Sequence, residues 1–134
     1  MSLLAMIIGA MIDGAGTSLA DATETVEEDF TLLAKCVEAE AGTQDLKGKR
    51  LVADVIMNRV ESSAWPNTIY GVITQDRQFM VYPKAMSKTT PSQETIEAIL
   101  MESGERLDTE IIYFTSSGYI GKPAYKHGNH YFSY

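Results

Sequence analysis

The sequence predicts an α+β domain, mainly helical, with a small antiparallel sheet towards the C-terminus. Three observations predict it. Apolar residues recur at helical spacing between positions 26 and 60 and again after position 90. Capping residues, glycines and a Trp-Pro-Asn break separate those stretches. After residue 110 the composition turns to Ile, Tyr, Phe and Thr, which favour extended structure. A length of 134 residues suits one hydrophobic core, so residues 23–134 are expected to form a single domain.

Residues 1–22 are set apart. Leu3 to Ile12 are mostly apolar and Ser18-Leu19-Ala20 has the small-x-small form of a secretory cleavage site. Against a signal, no Lys or Arg precedes the run and Asp13 follows it at once. The run is too short to span a bilayer. A remnant signal, an added tag at Met1 to Leu3 and a docked helix all remain open here.

The first helix is expected from about Val26 to Ala41. Thr25 and Glu28 have capping-box spacing, and acidic residues crowd the first turn, where the helix dipole favours them. Val26, Phe30, Leu33 and Val37 form its apolar stripe, and Gly42 is expected to end it. The second helix runs from Asp45 or Leu46 to Ser62, burying Leu51, Val52, Val55, Ile56 and Val60. Trp65-Pro66-Asn67 breaks the chain, and Asn67 is expected to cap a short helix over Thr68 to Ile73. An irregular stretch follows over residues 74–89. Thr90 as N-cap and Pro91 as first residue begin a further helix. Ile96, Ile99, Leu100 and Ser103 lie on one of its faces, and Gly104 ends it. Glu110 to Thr115 reads as a strand, Ser117-Gly118 and Ile120 to Pro123 as turns, and His130 to Tyr134 as a second strand.

A formal net charge of -7 argues against nucleic acid as a partner, because phosphate backbones require a basic surface. Contact with any anionic polymer would fall to local cations such as Lys47, Lys49, Arg50, Lys122 and Lys126. Cys36 is the sole cysteine, which excludes an internal disulfide and a zinc site built on several cysteines of one chain. Its place between Leu33 and Val37 reads as core. His127 and His130 lack a third ligand at metal-binding spacing, so no metal and no cofactor are expected.

One polar residue falls on an apolar face. Leu33, Val37 and Glu40 continue one stripe with steps of four and three. Glu38 lies roughly 160° around the helix from Glu40. A carboxyl on an apolar face has a raised pKa, since desolvation disfavours its charged form. A carboxyl that keeps its proton near neutral pH is what general-acid catalysis needs. Glu40 is therefore the candidate catalytic acid, set against the ordinary alternative of a helix-end glutamate turned to water.

The stretch Leu32-Leu33-Ala34, Ala39-Glu40-Ala41, Gly48 and Asn58-Arg59-Val60 resembles the spore cortex-lytic, cell wall hydrolase (SleB) family. The likeness continues through Pro66-Asn67-Thr68-Ile69, Gly71-Val72-Ile73, Gln78-Phe79, Tyr113-Phe114 and Gly128-Asn129-His130-Tyr131-Phe132. There are departures: Glu38 and Gly42 flank the glutamate motif, Met80 follows Gln78-Phe79, and no tryptophan lies between the late strands.

The resemblance implies a lysozyme-like fold that cuts peptidoglycan glycan strands, with Glu40 as the motif's acid. It further implies action at the cell wall or spore after secretion, with an accessory or wall-anchoring protein as a possible partner. A second carboxylate would come from Asp45, Asp54 or Asp76. Asp54 reads as surface charge and Asp45 as a helix cap, so a single-acid lytic transglycosylase reaction is expected. For sugar binding the candidates are Asn58, Gln78, Phe79, Tyr82, Tyr113, Asn129 and Tyr131, which offer rings and amides to C–H faces and hydroxyls. Arg59 either lines the cleft or fixes the fold, and Trp65 reads as a staple beneath a turn. The competing readings are a hydrolytic muramidase, a non-catalytic wall-binding module, and an amidase or peptidase that would need a metal or an active thiol.

Overall fold

A computed structural model describes residues 19–75 and 88–134, with the side chains of its first helix from Val26 onward. The elements are α1 (Leu19–Ala41), α2 (Leu46–Glu61), α3 (Ile69–Thr74), α4 (Gln93–Gly104), β1 (Tyr113–Thr115), β2 (Pro123–His127) and β3 (His130–Ser133). The expected class, mainly helical with a late antiparallel sheet, is the one observed.

The core is built around α2. It packs against α1, α3, α4 and β1, and every residue from Leu51 to Val60 is buried. Leu33 and Val37 of α1, Ile69 and Ile73 of α3, Ile99 of α4, and Ile111 and Phe132 from the C-terminal part close around it. Each such side chain contributes about 1.5–3 kcal/mol on burial. The Asp45 side chain caps α2 by accepting from the Gly48 N–H at 2.8 Å, a contact worth about 1 kcal/mol.

The sheet has strand order β1-β3-β2, all antiparallel. Register places Phe114, Phe132 and Tyr125 in one row across the three strands, and that face packs on the helices. Thr115, Tyr131 and Lys126 form a row on the opposite face.

Several boundaries differ from expectation, each for a local reason. Helix α1 begins at Leu19, so Thr25 is interior and starts nothing; Leu19, Ala20 and Ala22 upstream are good helix formers. The cap of α3 is Thr68 rather than Asn67, its hydroxyl accepting from the Gly71 N–H at 2.9 Å. Ser92, not Thr90, caps α4, because the Glu38 carboxylate accepts from the Ser92 N–H and fixes the start there. On α4 the buried residues are Thr95, Ala98, Ile99 and Glu102, while Leu100 is 55% exposed. A buried ion pair of Glu102 with Arg50 turns the helix away from the face that apolar spacing selects. Strand β1 is shorter than expected because the Asp108 carboxylate accepts from the Glu110 and Ile111 N–H groups and holds that stretch in a turn. The segment Pro123 to His127 is a strand, although Pro123 was expected to lie in a turn and residues 124–127 were assigned to no element. With Pro at its start and Lys126 within it, it has the composition of a sheet edge.

Asp54, expected at the surface, is fully buried. Its Oδ2 accepts from the Asp108 N–H at 3.0 Å, while Oδ1 meets no donor. Glu102 of α4 lies beside it, and two adjacent buried carboxyl groups favour a proton on one of them. Glu102 in turn accepts from Arg50 Nε and, at 3.0 Å, from the Leu107 N–H. Burial, then the neighbouring Glu102 carboxyl, push Asp54 well above the usual carboxyl range. The folded chain thus keeps a proton that the unfolded chain loses near pH 4. Stability must therefore fall as pH rises above about 4.

Asp54→Asn supplies an amide N–H to Glu102 and a carbonyl to Asp108. It should preserve stability at neutral pH and flatten this decline. Asp54→Ala should cost about 1–3 kcal/mol for the groups it orphans. Denaturant titrations of both variants from pH 4 to pH 9 check this.

Candidate functional site

The C-terminal turn of α1 carries two glutamates with opposite environments. Leu33, Cys36, Val37 and Ala41 anchor this end of the helix in the core. Glu38 Oε1 accepts from the Ser92 N–H and from the Thr95 hydroxyl at the start of α4. Partial burial raises the Glu38 pKa, but these hydrogen bonds and nearby Lys49 outweigh it and hold the carboxyl below its usual value. Glu40 is half-buried and forms no hydrogen bond or ion pair with any described residue. Burial alone pushes its pKa up. Two residues apart, the two carboxyls are thus pushed in opposite directions, Glu38 down by its hydrogen bonds and Glu40 up by burial.

Gly42 follows directly. Its φ is not in the left-handed region, contrary to an ordinary glycine C-cap. A Cβ there would lie 2.3 Å from Glu38 Oε2 and 2.5 Å from the Glu38 carbonyl oxygen. The glycine makes room for the Glu38 anchor.

One turn before Glu40, Cys36 is fully buried. Its thiol is pushed well above its usual pKa by burial and by the Glu40 charge, with Arg59 opposing. A thiol so held is a poor nucleophile. Arg59 lies nearby on α2, 4% exposed. Its Nε donates to the Ile112 carbonyl at 2.8 Å, and its guanidinium stacks 4.1 Å from the Trp65 ring and 5.7 Å from that of Tyr113. Burial lowers its pKa to about 10. Arg59 thus fixes β1 to α2, and Trp65 covers it as expected of a staple.

The sheet reaches the site through the β2–β3 turn. Gly128, at φ +56°, and Asn129 sit against the α1–α2 loop. The Asn129 N–H donates to Gln44 Oε1 at 3.0 Å, and His127 Nε2 lies 2.8 Å from Asp45 Oδ1. The His127 hydrogen bond and the Gly48 N–H lower the Asp45 pKa, as befits a capping anion. Gln44 was not singled out from the sequence; an exposed-looking loop glutamine carries no signal of its reach.

The other expected site residues divide. Tyr113 is half-buried, its ring edge-on to Trp65 at 5.9 Å. Tyr131 lies on the outer sheet face and Asn129 is exposed at the hairpin tip. Asn58 departs from the expected role. Its amide donates to the Asp108 and Ile111 carbonyls at 3.0 and 2.8 Å, and its oxygen accepts from Arg106 at 2.8 Å. Those bonds hold the 108–111 turn on α2 and occupy the amide within the fold. Gln78, Phe79, Tyr82 and Asp76 lie outside the described residues. Lys49 and Arg50, expected as surface cations, are paired with Glu94 and Glu102.

Among the described residues no three His, Cys, Asp or Glu side chains gather as a metal site. His130 is buried, edge-on to Phe114, and its pKa is lowered by burial. A cleft of about 460 Å³ is lined by Glu27, Glu28, Thr31, Leu32 and Lys35. Its first three residues precede Glu40 by roughly 14–20 Å along the helix axis, so the cleft and the acid are separate features of α1.

A mostly helical domain that presents an unpaired, partly desolvated carboxyl beside a docked sheet has a group of the kind that general-acid chemistry requires. The particular family is shown by comparison: residues 43–133 match the Cell Wall Hydrolase family, and the chain belongs to it. Glu40 lies just before that stretch, so the family match does not itself include it. Among characterised relatives, the spore cortex-lytic enzyme of Bacillus subtilis is 30% identical over 112 residues, covering 78% of this chain and 37% of that protein. The Bacillus cereus enzyme of the same name is 35% identical over 74 residues, covering 55% of this chain and 29% of that one. The chain thus spans only about a third of these relatives. The fold is similar to the catalytic domain of the B. cereus SleB protein, with TM-score 0.72 and 28% identity over 81% of this chain and 91% of that one. It is also similar to the catalytic domain of a germination-specific lytic transglycosylase, SleB from Bacillus anthracis, with TM-score 0.68 and 25% identity over 90% and 99%.

A Cβ on Gly128 would lie 2.3 Å from Gln44 Oε1 and would force a left-handed backbone costing about 1–2 kcal/mol. Gly128→Ala should lower stability by at least that much. Adding Gln44→Ala should relieve the steric part and leave the backbone part. A double-mutant cycle by thermal unfolding separates the two.

Proposed function

We propose that this chain cleaves peptidoglycan glycan strands between N-acetylmuramic acid and N-acetylglucosamine as a lytic transglycosylase, with Glu40 as its acid. The observation that carries this reading is the environment of Glu40: an unpaired carboxyl, held partly from water at a core-anchored helix end. The family supplies the substrate class, and the likeness to a SleB lytic transglycosylase domain supports the outcome.

The protonated Glu40 donates to the glycosidic oxygen, and the bond from the muramic acid C1 to that oxygen breaks with its electron pair moving to oxygen. An oxocarbenium-like centre is left at C1. The Glu40 carboxylate then takes the proton of the same sugar's 6-hydroxyl as that oxygen bonds to C1. The products are a free 4-hydroxyl on N-acetylglucosamine and a 1,6-anhydromuramic end; no water is consumed and Glu40 regains its proton.

The neighbouring acids favour a single-acid route. Asp45 is committed to Gly48 and His127, and Asp54 is buried against Glu102. Tyr113, Tyr131 and Asn129 are assigned to contact sugar. The site of action is the cell wall or spore cortex, outside the cytoplasm; no helix among the described residues is long and apolar enough to cross a membrane. A wall-anchoring or accessory protein would supply any targeting that the domain lacks.

Digestion of purified peptidoglycan followed by mass spectrometry tests the reading. The wild type should release anhydro-muropeptides, and Glu40→Gln should lose about 10²–10⁴-fold in rate while folding normally. Because the acid acts protonated and its pKa is raised, kcat/KM should fall as pH rises through a value above that of an ordinary glutamate, with the fall absent from Glu40→Gln. Hydrated reducing ends would replace transglycosylation by hydrolysis. Sugar binding without cutting would make the domain a binding module.

A further inference from the structure

The charge of this chain is segregated. All 18 Asp and Glu residues precede residue 111, together with nine of the 11 Lys and Arg. Residues 111–134 contain no carboxylate side chain, two lysines and five of the seven tyrosines. The first 110 residues therefore carry -9 and the sheet-forming part +2. The sheet is a basic, tyrosine-rich element on an acidic protein.

Lys126 and Tyr131 lie on the outer face of the sheet, whereas Lys122 stands just before β2, beside Tyr134. Lys126 stands directly opposite Tyr131 in the β2–β3 ladder, with its Nζ 5.1 Å from the Tyr131 ring. The Tyr119 ring meets the other side of that row, edge-on to Tyr131 at 5.1 Å. Lys122 Nζ lies 5.8 Å from the Tyr134 ring. Both lysines are exposed and neither is paired with a carboxylate among the described residues. In contrast, Lys49, Arg50 and Arg106 all hold internal acids. The Lys126–Tyr131 face is directed away from the core, which the Phe114–Phe132–Tyr125 row covers from the other side. It is nevertheless tied to the site, because the turn joining its two longer strands is fastened to Gln44, four residues beyond Glu40.

We propose that the exposed lysines of the sheet region, Lys126 on its outer face and Lys122 just before β2, bind the carboxylates of peptidoglycan peptide stems, with Tyr119 and Tyr131 packing against the sugar or peptide that adjoins Lys126. This rests on the peptidoglycan reading above and extends it from the glycan bond to the peptides that the glycan carries. Charge complementarity selects the occupant. A chain of net charge -7 is repelled by an anionic wall except where a local cationic field has no internal acid to satisfy. Rings beside the ammonium groups add cation–π and packing contacts that a neutral glycan alone would not need.

The test uses the full chain carrying Glu40→Gln, which holds wall without cutting it, and reads cosedimentation with insoluble peptidoglycan. Lys122→Glu with Lys126→Glu should weaken binding roughly tenfold at low ionic strength, with the difference shrinking in high salt. Lys122→Arg with Lys126→Arg should retain binding. Unchanged melting of these surface variants shows that folding is intact. Peptidoglycan stripped of its stems by an amidase should bind the unaltered sheet no better than intact wall binds the charge-reversed one. Equal binding to stripped and intact wall, or no effect of charge reversal, overturns the proposal. So does loss of binding when wall phosphate polymers are removed by hydrofluoric acid, which would make phosphate the ligand. Cleavage by the protein with Glu40 intact is scored separately. Absence of glycan cutting strikes the catalytic reading and leaves the binding comparison readable.

Discussion

The contact between Glu38 and the start of α4 fixes the phase of α1, and the rest of the site depends on that phase. Once the Glu38 carboxylate accepts from the Ser92 N–H and the Thr95 hydroxyl, the helix cannot rotate, and 100° per residue places Glu40 on the other flank. The same contact decides where α4 starts, why position 42 has no room for a side chain, and which carboxyl has the lower pKa. An anion at a helix N-terminus is stabilised by the unpaired N–H groups and the dipole there. That stabilisation goes into position, holding the second glutamate at a half-buried end where burial raises its pKa.

A second polar system does the same for α2. A helix buried along its whole inner length must satisfy every polar side chain it carries. Asp54 (through Oδ2), Asn58 and Arg59 find partners in the chain between residues 102 and 112. These bonds lead the backbone from α4 into β1, and so determine where the sheet meets the helices. Tyr125 joins them from β2, its hydroxyl donating to Asp108 Oδ2 at 2.7 Å. The path into the sheet is therefore specified by polar contacts beneath an apolar layer.

What was legible in the sequence follows from this division. Apolar spacing found the central elements, since Leu33, Val37, Val52 and Ile56 obey the helical period that burial imposes. It also placed Glu40 on the core side of α1. The errors cluster where a distant polar group overrides a local signal. Thr90-Pro91 is a good start for a helix in isolation, but Glu38 reaches in from 54 residues away and selects Ser92. Asp54 looks like a surface charge because its partner, Glu102, lies on another helix. Leu100 looks buried because its period is right, yet Glu102 holds α4 turned from that face. Within the candidate site, Asn58 and Gln44 exchanged importance for the same reason. The length of a side chain's reach is invisible until its partner is in place.

The sheet order carries a consequence for assembly. Strand β3 comes last of the three in sequence and lies between the other two. The β2–β3 hairpin can close locally across Gly128-Asn129, but β1 has no strand to join until that hairpin exists. Strands β1 and β2 never pair with each other, so a break in β3 dissolves both ladders together rather than fraying one edge. The sheet behaves as a single cooperative unit whose keystone is also its last-made strand.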